Sequence, residues 1–259
     1  LIDVDVEVDL GFARLTSSTA LAEMESFSVS DSSGFLRTNL PQYYFGNPRV
    51  FSPIDRKQET ETISQEIRLA STNESRFSWI IGGFFLKRDL KMDLYQPLEG
   101  VNDYTNAYFG TTGVNFTDIL AYGGVDQEFT DLSVFGELSY QLSDRWQVTG
   151  GFRRYDNETT GTAGIPLPYA SRTAEFYYYG SATDDFLLGG FNPTEGEDDG
   201  TIFKLNTSYE LNNNTMLFAT VAEGFRSSGV NQLPAIDPFG NDYREFLTFG
   251  PDELVNLEL

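Results

Sequence analysis

Gln127-Glu128-Phe129-Thr130-Asp131-Leu132-Ser133-Val134-Phe135-Gly136-Glu137-Leu138-Ser139-Tyr140-Gln141 is followed by Leu142-Ser143-Asp144 and then by Arg145-Trp146-Gln147-Val148-Thr149-Gly150-Gly151-Phe152-Arg153-Arg154-Tyr155-Asp156-Asn157. In the first run Leu132, Val134, Gly136, Leu138 and Tyr140 oppose Ser133, Phe135, Glu137 and Ser139; in the second Trp146, Val148, Gly150 and Phe152 oppose Gln147, Thr149 and Arg153. Successive side chains of a strand point to opposite faces, so each run is a strand with two unlike faces. The short break between them closes a hairpin.

The same period extends in both directions. Ile2, Val4, Val6 and Val8 alternate with Asp3, Asp5, Glu7 and Asp9; Leu10-Gly11 turns the chain, and Phe12 to about Phe27 reads as a Ser/Thr-rich strand, with a helical stub at Ala20 to Glu25 as the alternative. Thr62 to Ala70 sets Ile63, Ile67 and Leu69 against Glu66 and Arg68. Arg76 to Asp93 places Phe77, Trp79, Ile81, Gly83 and Phe85 on one face, and Ile80, Phe84 and Leu86 make the other partly apolar, which predicts a strand buried on both sides at its centre. Gly200 to Tyr209, Thr215 to Phe225 and Asp252 to Leu259 complete nine strands.

Connections decide between architectures. Short turns at 10–11, 71–75, 142–144 and 210–214 interleave strictly with long loops at 28–61, 94–126, 158–199 and 226–251. In an up-and-down antiparallel sheet every second connection lies at the same end, so all short turns share one rim and all long loops the other. That is the arrangement of an outer-membrane barrel, and loops above about 12–15 residues are uncommon in compact soluble domains. The aromatics agree: Phe12, Phe77, Trp79, Tyr140, Trp146 and Tyr209 flank the short turns, as an interfacial girdle requires, the alternative being the caps of a soluble core.

Composition narrows the chemistry. The 259 residues contain no Cys and no His, which excludes disulfides, thiolate nucleophiles, imidazole bases and sulfur or imidazole metal sites. Seventeen Lys+Arg against 39 Asp+Glu give a net charge of −22, which repels a phosphate backbone and argues against nucleic acid as a partner. The longest near-apolar run, Trp79 to Leu86, is far shorter than the roughly 20 residues of a spanning helix, whereas a spanning strand needs only about 9–11. The opening Leu1-Ile2-Asp3-Val4-Asp5, without an initiator Met or a charged leader, predicts that the chain is a fragment.

Several stretches resemble the C-terminal barrel of TonB-dependent outer-membrane receptors: Ser64-Gln65-Glu66-Ile67-Arg68-Leu69-Ala70-Ser71, Phe77-Ser78-Trp79-Ile80-Ile81-Gly82-Gly83-Phe84-Phe85, and Leu217-Phe218-Ala219-Thr220 running into Glu223-Gly224-Phe225-Arg226-Ser227-Ser228-Gly229-Val230-Asn231. Pro251-Asp252-Glu253-Leu254-Val255-Asn256-Leu257-Glu258-Leu259 is similar to the family's terminal Pro-Glu-x-x-x-x-Tyr-Glu-x-Gly strand, with Leu257 in the place of Tyr. The resemblance implies an all-β, antiparallel transmembrane barrel of about 22 strands around a plug, of which residues 1–259 supply a partial barrel of about nine, the plug and the closing strands being absent. It further implies active uptake at the outer membrane of a Gram-negative bacterium. The expected cargo is a scarce extracellular ligand, a ferric siderophore or similar iron complex first, with haem, cobalamin or oligosaccharide as alternatives. Membrane lipid and, through the missing plug, the TonB complex are the other partners. No catalytic group and no cofactor are expected.

Glycines 82, 83, 150, 151 and 224 sit inside strands, where glycine marks a bend or a close approach. Glu195, Glu197, Asp198 and Asp199, with Asp184 and Asp185 upstream, offer hard oxygen ligands to calcium or form a solvated loop. Phe176-Tyr177-Tyr178-Tyr179, with Tyr43, Tyr44, Tyr104 and Tyr108, would stack on a sugar or siderophore, or pack among themselves. Asn-x-Ser/Thr at Asn73, Asn115, Asn157, Asn206 and Asn213 reflects a composition rich in these residues. Two further classes stay open on the residues alone: a secreted β-sandwich carbohydrate-binding module, and a carbohydrate-active enzyme using two carboxylates about 5–10 Å apart. A packed second sheet over Val134, Leu138, Val148 and Leu205 would exclude the barrel. Glu66, Arg68, Glu137, Arg153 and Lys204 are expected in the lumen.

Overall fold

The computed structural model describes residues 1–39, 44–72, 75–180, 189–231 and 241–259. Its long strands are β1 (Ile2–Asp9), β2 (Ala13–Asp31), β3 (Pro53–Ser71), β4 (Phe77–Pro97), β5 (Ile119–Ser143), β6 (Trp146–Gly164), β7 (Asn192–Asn212) and β8 (Thr215–Arg226), followed by a ribbon of β9 (Gly229–Val230) with β10 (Thr248–Phe249), and finally β11 (Asp252–Glu258). One antiparallel sheet runs β1-β2-β3-β4-β5-β6-β7-β8-β11, without a crossover. The turns suit their residues: Gly11 adopts φ +85° and donates its N–H to Asp9 Oδ1 at 2.7 Å, and Asn212 Oδ1 accepts from Asn214 N–H at 2.9 Å. Short and long connections fall on opposite rims, as the sequence predicts.

Strand ends differ from expectation. The β2–β3 ladder is unbroken from Ala13↔Ser71 to Asp31↔Pro53, so Ala20 to Glu25 is strand and not a helical stub. β7 begins at Asn192, and the acidic run 195–199 is strand rather than loop. In these overhanging ends many outward residues are charged, among them Glu23, Glu25, Glu195 and Glu197, so the apolar half of the alternation is interrupted, with Phe27 and Val29 as exposed exceptions near the tip of β2, and the backbone ladder carries the strand on.

Directly opposed residues of an antiparallel pair share a face. Carried across the sheet, one face holds Ile2, Val4, Val6, Val8, Ile63, Ile67, Leu69, Ile81, Phe85, Leu132, Val134, Leu138, Phe152, Leu205 and Val221. Val134, Leu138 and Leu205 are about half exposed and Val148 partly so, and among the described residues no second sheet covers them. A β-sandwich is thereby excluded. The same openness corrects the reading of β4: Ile80 and Ile81 are both exposed, because among the described residues no second layer covers either face of the sheet there. Within the outward face Ser17, Thr19 and Gln65 satisfy one another, Thr19 Oγ1 donating to Gln65 Oε1 at 2.5 Å and Gln65 Nε2 to Ser17 Oγ at 3.0 Å.

The upper limit of the apolar face is a line. The continuous apolar band ends at Leu21, Ile63, Phe85, Leu132, Phe152, Phe203 and Val221, and the next outward positions are Glu23, Glu61, Lys87, Thr130, Arg154, Thr201 and Glu223; Phe27, Val29 and Tyr95 are separate exposed residues farther up the wall. Register connects Leu21 through Ile63, Lys87, Thr130 and Glu158 to Glu197, whereas Val221 pairs with Leu205. The line therefore drops by about eight residues, or about 27 Å, over six strand spacings of ~4.8 Å, an inclination of about 43°. Barrel strands tilt by about 35–45° against the membrane normal, so a level bilayer boundary crosses this sheet at that slope.

Candidate functional site

The long connections are not bare loops. The first three carry helices: α1 (Ser33–Asn39), α2 (Val101–Phe109) and α3 (Pro168–Tyr179). α2 lies between Gly100 and Gly110, both in the left-handed region, and α3 has Pro168 in its first turn and Gly180, at φ +75°, donating its N–H to Phe176 O at 2.9 Å. The spacing of Pro168 and Gly180 is the sequence signal by which α3 was recognisable. Leu36, Tyr44, Val50, Leu98, Val101, Phe116 and Tyr169 form a buried cluster joined by Phe109, Val114, Leu120 and Phe176, so three connections fold into one cap. Its rings interlock, Phe109 lying 5.3 Å and Phe116 5.2 Å from Phe176.

Polar groups fasten the cap to the sheet. Asp31 Oδ1 accepts from Ser33 N–H at 2.9 Å and from the Ser33 hydroxyl at 2.5 Å, bonds that hold its carboxyl below the usual Asp range. Ser33 Oγ in turn accepts from Ser52 N–H at 2.9 Å, and Ser52 Oγ donates to Pro97 O at 2.7 Å, tying the first connection to the end of β4. Thr105 Oγ1 and Tyr169 Oη are 2.9 Å apart, and burial pushes the Tyr169 phenol up to about 12.

The predicted aromatic group divides. Tyr44 is buried against Tyr169, Tyr104 Oη donates to Phe45 O at 3.1 Å, Tyr108 stacks on Phe45 and Phe176 enters the core: these pack the cap. Tyr177, Tyr178 and Tyr179 remain 72, 74 and 80% exposed, and Tyr108, though stacked on Phe45, is more than half exposed as well. Tyr43 lies outside the described residues.

On the lumenal face register brings together Glu66, Arg68, Glu137, Arg153 and Lys204, as expected. Their charges are matched: Arg68 to Glu66 at 3.2 Å, Lys204 to Glu137 at 3.1 Å, and Arg153 to Asp131 at 2.7 Å. Gly151 sits between Glu137 and Lys204 in register and leaves room for that pair. Of the predicted strand glycines, Gly82 is the one a side chain would obstruct: a Cβ would stand 2.5 Å from the Phe135 ring and 2.9 Å from Ile67 O. Nothing lies within 4 Å of the equivalent point at Gly150 or Gly224.

Alternation along β7 splits the acidic run, Glu195, Glu197 and Asp199 pointing outward and Asp198 to the lumen, and Asp184 and Asp185 lie outside the described residues. Among the described residues no group of three or more Asp and Glu gathers to hold a metal ion. Asn157 is buried within β6 and Asn206 lies in β7, so neither is an accessible glycan acceptor; Asn73 is outside the described residues.

The family described as TonB dependent receptor-like, beta-barrel, matches residues 6–251. The chain is 23% identical over 241 residues to the pesticin receptors of Yersinia pestis and Yersinia enterocolitica, an alignment covering 92% of this chain and 27% of each relative. It thus spans about a quarter of the length of these relatives. In three dimensions it is similar to the ferric yersiniabactin uptake receptor of Yersinia pestis, with a TM-score of 0.67 and 13% identity, over 98% of this chain and 31% of that one. That receptor's fold accounts for a nine-stranded open sheet as an arc of barrel wall with loops on one rim. The inclined apolar boundary, the aromatic rim and the match over residues 6–251 lead to one assignment: the chain belongs to the β-barrel of the TonB-dependent receptors, a family of outer-membrane transport receptors rather than enzymes.

Proposed function

We propose that this chain is part of the wall of an outer-membrane uptake receptor for a scarce extracellular ligand, a ferric siderophore or similar iron complex, in a Gram-negative bacterium. The plug and remaining strands belong, in this reading, to parts of the protein beyond these residues. The observation that carries it is the family match over residues 6–251. The names of its relatives, the pesticin receptor and the ferric yersiniabactin uptake receptor, favour an iron complex over haem, cobalamin or oligosaccharide. Active uptake would draw on TonB through the plug, and the barrel would supply a ligand surface and a path.

The cap gives the ligand surface a location. Three exposed tyrosines at the end of α3 offer flat, amphipathic rings whose partners are planar or aromatic chelating groups. The test is growth of a deletion strain under iron limitation with single purified ferric siderophores, together with ligand-induced fluorescence quenching of the intact receptor. Loss of growth on one siderophore, restored by the wild-type gene and weakened at least tenfold in binding by joint exchange of Tyr177, Tyr178 and Tyr179 for Ala, is the expected result. Unimpaired growth on every iron source, with no quenching, would overturn the reading.

A further inference from the structure

The ladder between β7 and β8 stops at the line where the continuous apolar band ends. Pairing runs from Asn212↔Thr215 to Lys204↔Ala222 and no further, although β7 extends to Asn192 and β8 to Arg226. Over 192–203, among the described residues, β7 is laddered to β6 alone. Below the line hydrocarbon forbids an open edge; above it water meets the freed groups, so the wall can part there. The first freed donor marks the parting: Phe203 N–H donates to the Glu223 carboxylate at 2.9 Å instead of to a backbone carbonyl of β8. β8 leaves together with β11, since their ladder is unbroken through Arg226↔Asp252.

The end of β8 and the residues after it lean over the lumenal face. The Phe225 ring stacks on Tyr155 with centroids 3.6 Å apart, Asn157 Nδ2 donates to Ser227 Oγ at 3.2 Å, and Ser228 Oγ stands 3.0 Å from where a Cβ on Gly196 would be. This strap, residues 223–228, lies over polar groups that it does not satisfy. Register sets Asn157 between Asp131 and Asp198, and Gly196 and Thr194 follow Asp198 on the lumenal side of β7. Asn157 is 2% exposed, Asp198 7% and Thr194 2%, and Asn157 Oδ1, Asp198 Oδ2 and Thr194 Oγ1 have no hydrogen-bond partner. Each such atom costs free energy while it is kept from water.

Continuing the β7–β8 register upward relieves this. It sets Glu223, Phe225 and Ser227 opposite Phe203, Thr201 and Asp199, and Arg226 and Ser228 opposite Gly200 and Asp198. Phe225 would then leave Tyr155 for the outward face, Asn157 would open to the lumen, and the Ser228 hydroxyl would come beside the Asp198 carboxylate. We propose that this seam is a two-state element: residues 223–228 either lie tucked over Tyr155 and Asn157 or zip onto the free edge of β7, and the exchange covers and uncovers the lumenal face of β6 and β7 at the loop rim. The strap is the natural occupant of that edge, because β8 is already in register at Lys204↔Ala222 and zipping onward closes no new loop.

The test uses the full-length receptor in outer-membrane vesicles, with cysteine confined to introduced pairs; residues 1–259 contain none. Ser227→Cys is combined with Asn157→Cys, which reads the tucked state, or with Asp199→Cys, which reads the zipped state because Asp199 points outward while Ser227 lies on the lumenal face. Crosslinks formed in a brief oxidation are counted by peptide mass spectrometry. Both pairs are expected to form. Phe225→Ala, and independently Tyr155→Leu, removes the ring stack and should raise the 199–227 crosslink relative to the 157–227 crosslink by about fivefold. Thr201→Pro removes an N–H that faces the free edge; it should leave the 157–227 crosslink and abolish the 199–227 one. A 199–227 crosslink that is absent from every background, or that survives Thr201→Pro, overturns the proposal. So does a ratio that neither Phe225→Ala nor Tyr155→Leu moves in receptors whose circular dichroism is unchanged.

Discussion

Below the line from Leu21 to Val221 the outward side chains are apolar and mostly unpaired with charges; above it the same strands, in the same register, carry Glu25, Lys57 and Glu59 or Lys87, Asp89 and Glu128. Below, stability rests on a backbone ladder and an apolar solvent. Above, it rests on a folded cap with its own buried cluster. One sheet is thus built for two solvents, and the difference is written in the outward residue at each second position.

The comparison is broken most severely from above. Phe116 is fully buried in the cap, and Phe116→Ala is expected to cost about 3–5 kcal/mol there. Protease nicking in the three helical connections, with the sheet's circular dichroism unchanged, is the measurement; a sheet that melts with the cap would show the halves to be one unit. From below, Leu138→Arg places a guanidinium in the apolar face and is expected to cost about 2–4 kcal/mol, read as loss of the heat-modifiable folded band, whereas Thr130→Arg, beyond the line on the same strand, leaves that band intact. Equal effects at the two positions would erase the line.

Chemistry sharpens the contrast further. The Tyr169 phenol, raised to about 12 by burial, stays protonated in the cap while the unfolded chain ionises from about pH 10. Both states are protonated below pH 10, so the cap loses stability only between about pH 10 and 12, by about 1.4 kcal/mol per unit. Protease resistance of the cap against pH should fall in that window in the wild type and stay flat in Tyr169→Phe. Smallest of all, Lys57→Ala removes contacts to Glu25 at 3.2 Å and Glu59 at 2.5 Å on an exposed wall. Unfolding midpoints at physiological salt should not move, because water and ions replace such pairs.

Most of the wall was legible in the sequence because a two-residue period needs no tertiary information. Ile2 to Asp9, Leu132 to Tyr140 and Trp146 to Phe152 each declare a face and, with the alternating connections, the barrel. The overhangs were not, since Glu23, Glu61 and Glu195 keep the period but lose the apolar residue that makes it visible. The cap helices hid for another reason: α2 and α3 sit on Asn, Tyr and Thr, and their faces became meaningful only when Val101 met Phe116 and Tyr169 across the sequence. The Asp131–Asn157–Asp198 row is the extreme case. Its members are 26 and 41 positions apart, and nothing but strand register makes them neighbours.

The absence of crossovers in the sheet bears on assembly. Among the described residues each long strand pairs with the next one, so no pairing inside this arc waits for a distant part of the chain, and the arc can grow by one hairpin at a time in either direction. Closing a longer loop costs only about 0.6 kcal/mol per doubling. Elongating the connection that carries α3 should therefore leave the insertion rate of the wall nearly untouched, whereas reversing the order of two hairpins should stop it.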